Sequence, residues 1–251
     1  MKKLFYFIPF VLLFSGCFAN IKNDSVNLVE YDFTLFDNHR NRPIPIHIYD
    51  DKTSDDNKKV VIFNHGYGFN RGESYKTYSK LYRFLASNGY FVISIQHELP
   101  TDDLLAMDGN LYETRMPNWQ KGVKNIEFVL AECKKIYQHL DWKNVSLIGH
   151  SNGGDMAMLF ITEHPELIKN AVSLDNRRVP IPRISEPRIL SLRGTDFPAD
   201  FGVIPTADEQ TKYGIEIVYL ADIQHSDMDD KGTQKQSEEI KLQIIRFLRG
   251  K

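Results

Sequence analysis

Gly149-His150-Ser151-Asn152-Gly153-Gly154 is the stretch whose residue types and spacing can do chemistry. A serine hydroxyl stands between two residues without a Cβ. Residues 145–148, an apolar run, read as a buried strand ending at the first glycine. Residues 155–164 carry Met156, Leu159 and Phe160 at helical spacing. A serine on such a sharp strand-to-helix turn is held in a strained conformation, and the glycines remove Cβ atoms that would clash. Its Oγ stands at the carboxyl edge of the sheet, above a helix N-terminus with unpaired N–H groups. That arrangement suits nucleophilic attack on a carbonyl.

A serine hydroxyl needs a base to take its proton. For a serine presented this way the chain order is serine, acid, histidine. Two histidines follow Ser151. His164 closes the helix after the turn and falls on the wrong side of the sheet. His225, in the loop Gln224-His225-Ser226-Asp227-Met228 after the last strand, is the base. The acid has three candidates. Asp175 follows the strand at 170–174, Asp196 follows the strand at 188–192, and Asp200 lies further along the same loop. One donor for a developing oxyanion is the backbone N–H of Asn152, directly after the serine.

These residues need a sheet to bring them together, and the pattern supplies one. Residues 28–36 and 44–49 alternate around the turn residues 37–41, which gives an antiparallel hairpin. Apolar strands follow at 60–63, 90–95, 145–148, 170–174, 188–192 and 215–220. Helices are expected at 75–87, 119–140, 155–164 and 235–248, with Asn88-Gly89 stopping the first. Residues 96–117 read as a long loop without period. Strands alternating with helices give a mostly parallel central sheet with helices on both faces and an antiparallel hairpin at its start. This is the α/β-hydrolase pattern, in one domain over 28–251. About a dozen residues separate Asp175 from the next strand, so no lid domain is expected there.

Residues 61–68, Val92-x-x-Ile95-Gln96-His97, Gly149-His150-Ser151-x-Gly153-Gly154 and Ala171-Val172-Ser173-Leu174-Asp175, with Pro180, Pro182 and Pro187, resemble the platelet-activating-factor acetylhydrolases. The likeness runs over about 60–192. It implies a serine esterase of the α/β-hydrolase superfamily. In that family the acid is the aspartate of the Leu-Asp pair, here Asp175. The cutinase-like polyester hydrolases and their dienelactone-hydrolase-type neighbours share the His-Gly-Tyr loop but place the acid one strand later, at Asp196. Asp175 is favoured, and the pair stays open. Both families take the second oxyanion donor from the residue after His-Gly, here Tyr67.

The chain has 251 residues and a net charge of −2, with no repeat, no basic cluster and no low-complexity tract, which leaves nucleic acid without a footprint. Eight histidines show no ligand spacing, and no phosphate-binding or dinucleotide loop occurs, so no metal and no cofactor is expected. Lys2 and Lys3 precede an apolar run at 4–14 and then Ser15-Gly16-Cys17, so 1–19 reads as a signal peptide and 20–27 as a tether. Ser15-Gly16-Cys17 resembles a bacterial lipobox, although Phe14 stands where leucine is usual. The protein is therefore expected outside the cytoplasm, as a periplasmic or membrane-anchored lipoprotein through a lipidated Cys17, or secreted after cleavage at Ala19. Cys133 then has no partner and reads as a small buried hydrophobe. The chain is expected as a monomer acting on a small ester. Tyr67, Phe69, Tyr112, Met116 and Trp119, mixed with Arg71, Arg115 and Arg177, suit a modest acyl chain and an anionic leaving part. A non-catalytic ligand-binding lipoprotein, a peptidase and a thioesterase remain the alternatives.

Overall fold

Alternation along the strands is what builds the molecule. In the computed structural model, which describes residues 27–53 and 56–250, eight strands form one sheet in the order β1-β2-β4-β3-β5-β6-β7-β8. They are β1 (Leu28–Asp37), β2 (Arg42–Asp51), β3 (Lys59–Asn64), β4 (Tyr90–Ile95), β5 (Asp141–His150), β6 (Asn170–Leu174), β7 (Arg188–Arg193) and β8 (Glu216–Tyr219). β2 runs antiparallel to β1 and β4, and every pairing from β4 to β8 is parallel. The signal segment, Cys17 and the tether before Asn27 lie outside the described residues.

Successive side chains on a strand point to opposite faces. Val60 and Ile62 of β3 enter one core, and Val61 and Phe63 enter the other. Phe91, Ile93 and Ile95 of β4 join the first, Val92 the second. The first core is covered by α2 (Leu111–Ile136) and α3 (Asn152–Glu163), through Trp119, Ile126, Val129 and Phe160. The second is covered by α1 (Ser79–Ser87) and α5 (Gln234–Leu248), through Leu81, Leu85, Ile244 and Phe247. Each such side chain contributes about 1.5–3 kcal/mol when fully buried. Both faces being covered explains why the central strands are mostly apolar rather than alternating regularly with polar residues. Cys133 is buried in the first core.

Three boundaries depart from the sequence reading. The long loop ends at Asn110, not Pro117, because the Asn110 side chain accepts from the Tyr112 N–H and caps a helix that runs through Pro117. That helix ends at Ile136 rather than 140. The expected helix at 75–87 is split. A short 3₁₀ turn, Ser74–Lys76, is followed by a non-helical Tyr78, and α1 starts at Ser79. A further short helix, α4 (Ala207–Tyr213), stands between β7 and β8. No helix stands between β6 and β7.

Candidate active site

Three strands deliver the site at their carboxyl ends. Ser151 follows β5 with φ 54°, and Asp175 follows β6 with φ 55°. A non-glycine residue at such a φ costs on the order of 1–3 kcal/mol unless its surroundings over-determine it. Here each is pinned by the neighbouring strand. The Ser151 N–H donates to Leu174 O at 2.9 Å, and the Asp175 N–H donates to Leu192 O at 2.9 Å. Packing fixes the turn further. A Cβ on Gly149 would overlap the Gly153 carbonyl, and one on Gly153 would overlap the carbonyls of Asn64 and His65. So α3 can start directly beneath the serine, with Asn152 as its first residue.

His225 opens a 3₁₀ turn in the loop after β8. Its Nε2 lies 2.9 Å from Ser151 Oγ and its Nδ1 lies 2.6 Å from Asp175 Oδ2. Ser151 and His225 are half-buried, whereas Asp175 is fully buried. Burial opposes ionisation of Asp175, but the His225 hydrogen bond and the Arg193 guanidinium outweigh it and hold the carboxyl below its usual range. Arg193 lies 3.1 Å from Oδ1, the Gly194 N–H donates to Oδ1 at 3.1 Å, and Arg177 lies 3.5 Å from Oδ2. Asp175 therefore stays ionised and acts only as an acceptor. An acceptor there requires His225 to carry its proton on Nδ1, which leaves the Nε2 lone pair for the serine.

Asp196 does something different. Its Oδ1 accepts from the His225 backbone N–H at 2.7 Å and holds the loop rather than the imidazole. Asp200 pairs with Arg178 at 2.9 Å. His164 packs on Phe160 at the far end of α3.

The loop after β3 lies beside the serine. A Cβ on Gly66 would stand 3.4 Å from the Ser151 Cβ, so this loop runs directly against the serine. The Tyr67 hydroxyl accepts from the Leu105 N–H at 3.0 Å, which ties the loop to the segment after β4.

A buried hydrogen-bond chain links this loop to His225. The Gly66 N–H donates to Tyr78 Oη at 3.0 Å, Tyr78 lies 2.7 Å from His150 Nδ1, and His150 Nε2 lies 3.1 Å from the His225 carbonyl. The partners settle the protons: Tyr78 donates to Nδ1, and Nε2–H donates to the carbonyl. Burial, and then the neighbouring His225, push the His150 pKa down to about 3, so the ring stays neutral. Asp155, on the first turn of α3, accepts from the N–H groups of Arg177, Arg178 and Val179 and shapes the loop after Asp175.

Tyr78, His150, Asp155 and Arg193 were not legible as site residues. What they share is burial with polar partners from other elements, which the chain around each of them does not display. Trp119, expected on the pocket wall, is instead fully buried and donates through Nε1 to Asn152 Oδ1 at 2.7 Å. Phe69 and Tyr112 remain exposed.

The BD-FAE family model matches residues 46–180, over half of the chain. The chain belongs to the BD-FAE family. The BD-FAE match takes in the Gly66-Tyr67 loop, Ser151 and Asp175, and His225 lies beyond it. Curated relatives match only locally. A serine hydrolase-like protein of Danio rerio is 40% identical over 48 residues, 19% of this chain and 15% of that protein. Ethanol acetyltransferase 1 of Eremothecium cymbalariae is 44% identical over 50 residues, 20% of this chain and 14% of that protein. Solved structures match over nearly the whole length. A hyperthermophilic esterase from the archaeon Pyrobaculum calidifontis superposes with a TM-score of 0.67 at 15% identity, covering 91% of this chain and 85% of that one. A dienelactone hydrolase-like promiscuous phosphotriesterase from metagenomic libraries superposes with a TM-score of 0.66 at 14% identity, covering 88% and 98%. This BD-FAE member thus has the α/β-hydrolase fold expected from its strand and helix order.

Proposed function

We propose that this protein is a serine hydrolase that cleaves a carboxylic ester through an acyl-enzyme. The observation that carries the reading is the unbroken line from Ser151 Oγ to His225 Nε2 at 2.9 Å and from His225 Nδ1 to Asp175 Oδ2 at 2.6 Å. His225 takes the serine proton as Oγ attacks the ester carbonyl, and Asp175 stabilises the imidazolium. The N–H groups of Asn152 and Tyr67 receive the negative oxygen. His225 returns the proton to the leaving alkoxide, and the acyl group stays on Ser151. Water then attacks the acyl group, with His225 again as base, and the acid product leaves. Ser151→Ala is expected to abolish hydrolysis of 4-nitrophenyl acetate with an unchanged fold, and a fluorophosphonate should label Ser151 alone. Undiminished turnover in Ser151→Ala would overturn the role of the serine, and absence of turnover in the wild type would return the protein to the ligand-binding reading.

The substrate reading follows from the loops around Ser151. Arg177 lies over the Phe197 ring at 4.1 Å, and Phe197 faces His225 at 6.5 Å between ring centroids. Arg115, held by the Ala106 carbonyl at 2.8 Å, has no carboxylate at ion-pair distance among the described residues. These groups favour a small ester with an anionic leaving part. The acetyl ester of 3-hydroxybenzoate should then show a higher kcat/KM than phenyl acetate, with the advantage shrinking as salt is added. Equal values at low salt would remove the anionic preference.

Export, with anchoring through a lipidated Cys17, is the accompanying proposal. No described helix is long and apolar enough to cross a membrane. Cys17→Ser should release the native protein from membranes of a bacterial host, and unchanged association would rule out the lipid. The protein released in this way should run as a monomer in size exclusion.

A further inference from the structure

The Glu98 carboxyl, just past the end of β4, is 2% exposed. A carboxyl in such a place costs several kcal/mol unless it is well partnered, and a structure that keeps one needs a reason. Its two oxygens face the two halves of the oxyanion site. Oε1 accepts from Asn152 Nδ2 at 2.9 Å. Oε2 lies 3.7 Å from His65 Nε2 and has no hydrogen-bond partner.

Both contacts lead to the proposed oxyanion donors. Asn152 is the first residue of α3, and its backbone N–H is one donor. Its side chain is held at three points: by Glu98, by Asn118 Oδ1 at 2.8 Å and by Trp119 Nε1 at 2.7 Å. His65 Nδ1 donates to the Gly66 carbonyl at 2.7 Å, and His65 Nε2 accepts from the His97 N–H at 3.1 Å. The Gly66–Tyr67 peptide is trans, so its carbonyl and the Tyr67 N–H point in opposite directions in one plane. Whatever fixes the Gly66 carbonyl therefore fixes the aim of the Tyr67 N–H. Glu98 hydrogen-bonds one anchor, the Asn152 side chain, and packs 3.7 Å from the other, His65, without a hydrogen bond to it.

We propose that Glu98 is the positioning residue that locks the two oxyanion donors, Asn152 N–H and Tyr67 N–H, to one another. The proposal rests on the serine-hydrolase reading. Glu98 touches no substrate. It acts through its hydrogen bond to the Asn152 side chain and its close packing on His65, and its own backbone carbonyl is held by Gln96 Nε2 at 2.8 Å. Burial keeps the carboxyl above its usual range, which suits a group that works as a hydrogen-bonded anchor rather than as a charge. The hydrogen-bond acceptor is what matters, so the amide that keeps it should suffice.

The test compares Glu98→Leu, Glu98→Gln and Asn152→Ala with 4-nitrophenyl acetate. Active sites are counted by complete fluorophosphonate labelling, so that misfolded protein drops out of kcat. A mis-aimed donor pair should lower kcat in Glu98→Leu roughly 100-fold with KM within about twofold, by the scale for loss of an oxyanion donor. Affinity for a boronic acid, which forms a tetrahedral adduct on Ser151, should fall in parallel with kcat. Glu98→Gln should stay within about threefold of wild type, because its amide oxygen still accepts from Asn152 Nδ2. Asn152→Ala keeps its N–H and loses the anchor, so it should show the same split, and the double variant with Glu98→Leu should lose less than the product of the two. Wild-type kcat per labelled serine in Glu98→Leu, a rise in KM at constant kcat, or equal losses in Glu98→Gln and Glu98→Leu would each overturn the proposal. Absence of labelling in the wild type would instead overturn the serine-hydrolase reading itself.

Discussion

Asp175→Asn is the substitution whose effect the geometry fixes most closely. Asn has one acceptor oxygen and one amide nitrogen where the carboxylate has two oxygens. In the folded protein Oδ1 faces two donors, the Gly194 N–H at 3.1 Å and Arg193 at 3.1 Å. The Asn oxygen must therefore stay at the Oδ1 position, and its NH₂ takes the place of Oδ2, 2.6 Å from His225 Nδ1. A donor there forces Nδ1 to accept, and the proton moves to Nε2. That tautomer cannot take the Ser151 proton. Turnover should fall by roughly four orders of magnitude, the figure for the same change in the serine-protease triad, which is about 5.4 kcal/mol of barrier.

Stability should fall as well. Arg193 is 2% exposed and loses its ionic partner, and Arg177 would face the amide nitrogen. Keeping the Asn oxygen toward Arg193 softens the loss to about 2–3 kcal/mol, below the 3–5 typical of a broken buried pair. For a chain of this size that is roughly 5–10 °C in Tm. The assay is kcat per fluorophosphonate-reactive serine at 20 °C, with Tm by calorimetry, for Asp175→Asn and Asp196→Asn side by side. Asp196→Asn should keep kcat within about threefold, since its oxygen can still accept from the His225 N–H. A full loss of turnover in Asp196→Asn with turnover retained in Asp175→Asn would refute the assignment.

Other outcomes follow from single contacts. Gly153→Ala should lower Tm and kcat together, because its Cβ would overlap the Asn64 and His65 carbonyls and overpacking of this kind costs about 1–3 kcal/mol; unchanged values would mean that the elbow is looser than its packing indicates. His150 has a folded pKa pushed down to about 3, so the unfolded chain binds the extra proton as pH falls below its ordinary value near 6.5. Stability from His150 is thus present at neutral pH and lost on acidification, and the slope of unfolding free energy against pH across that window should be shallower by about one proton in His150→Gln. Identical slopes in denaturant titrations of the two proteins would show that the ring charges freely in the fold.

Ser151 and His225 were legible because each has a local signature. The serine needs two glycines and a strand-to-helix turn, and the histidine needs only to stand in the last loop. The strands were legible for a similar reason, since a doubly covered sheet makes the inner stretches of its central strands mostly apolar. The acid had no such signature. Asp175 and Asp196 both follow a parallel strand at the same edge, and both touch His225 in the folded protein, one through the ring and the other through the backbone. What separates them is the backbone of each residue. Asp175 takes a left-handed conformation pinned by Leu192 and is turned toward the imidazole, whereas Asp196 accepts from the main-chain N–H of His225. Glu98, Tyr78 and His150 were opaque because their partners come from elements far apart in the chain. A sequence displays the residue that pays a burial penalty, but the partner that offsets it becomes visible only when β3, β4 and β5 are laid side by side. The least readable part of this chain is therefore the layer just behind Ser151 and His225, where the contacts are made across strands.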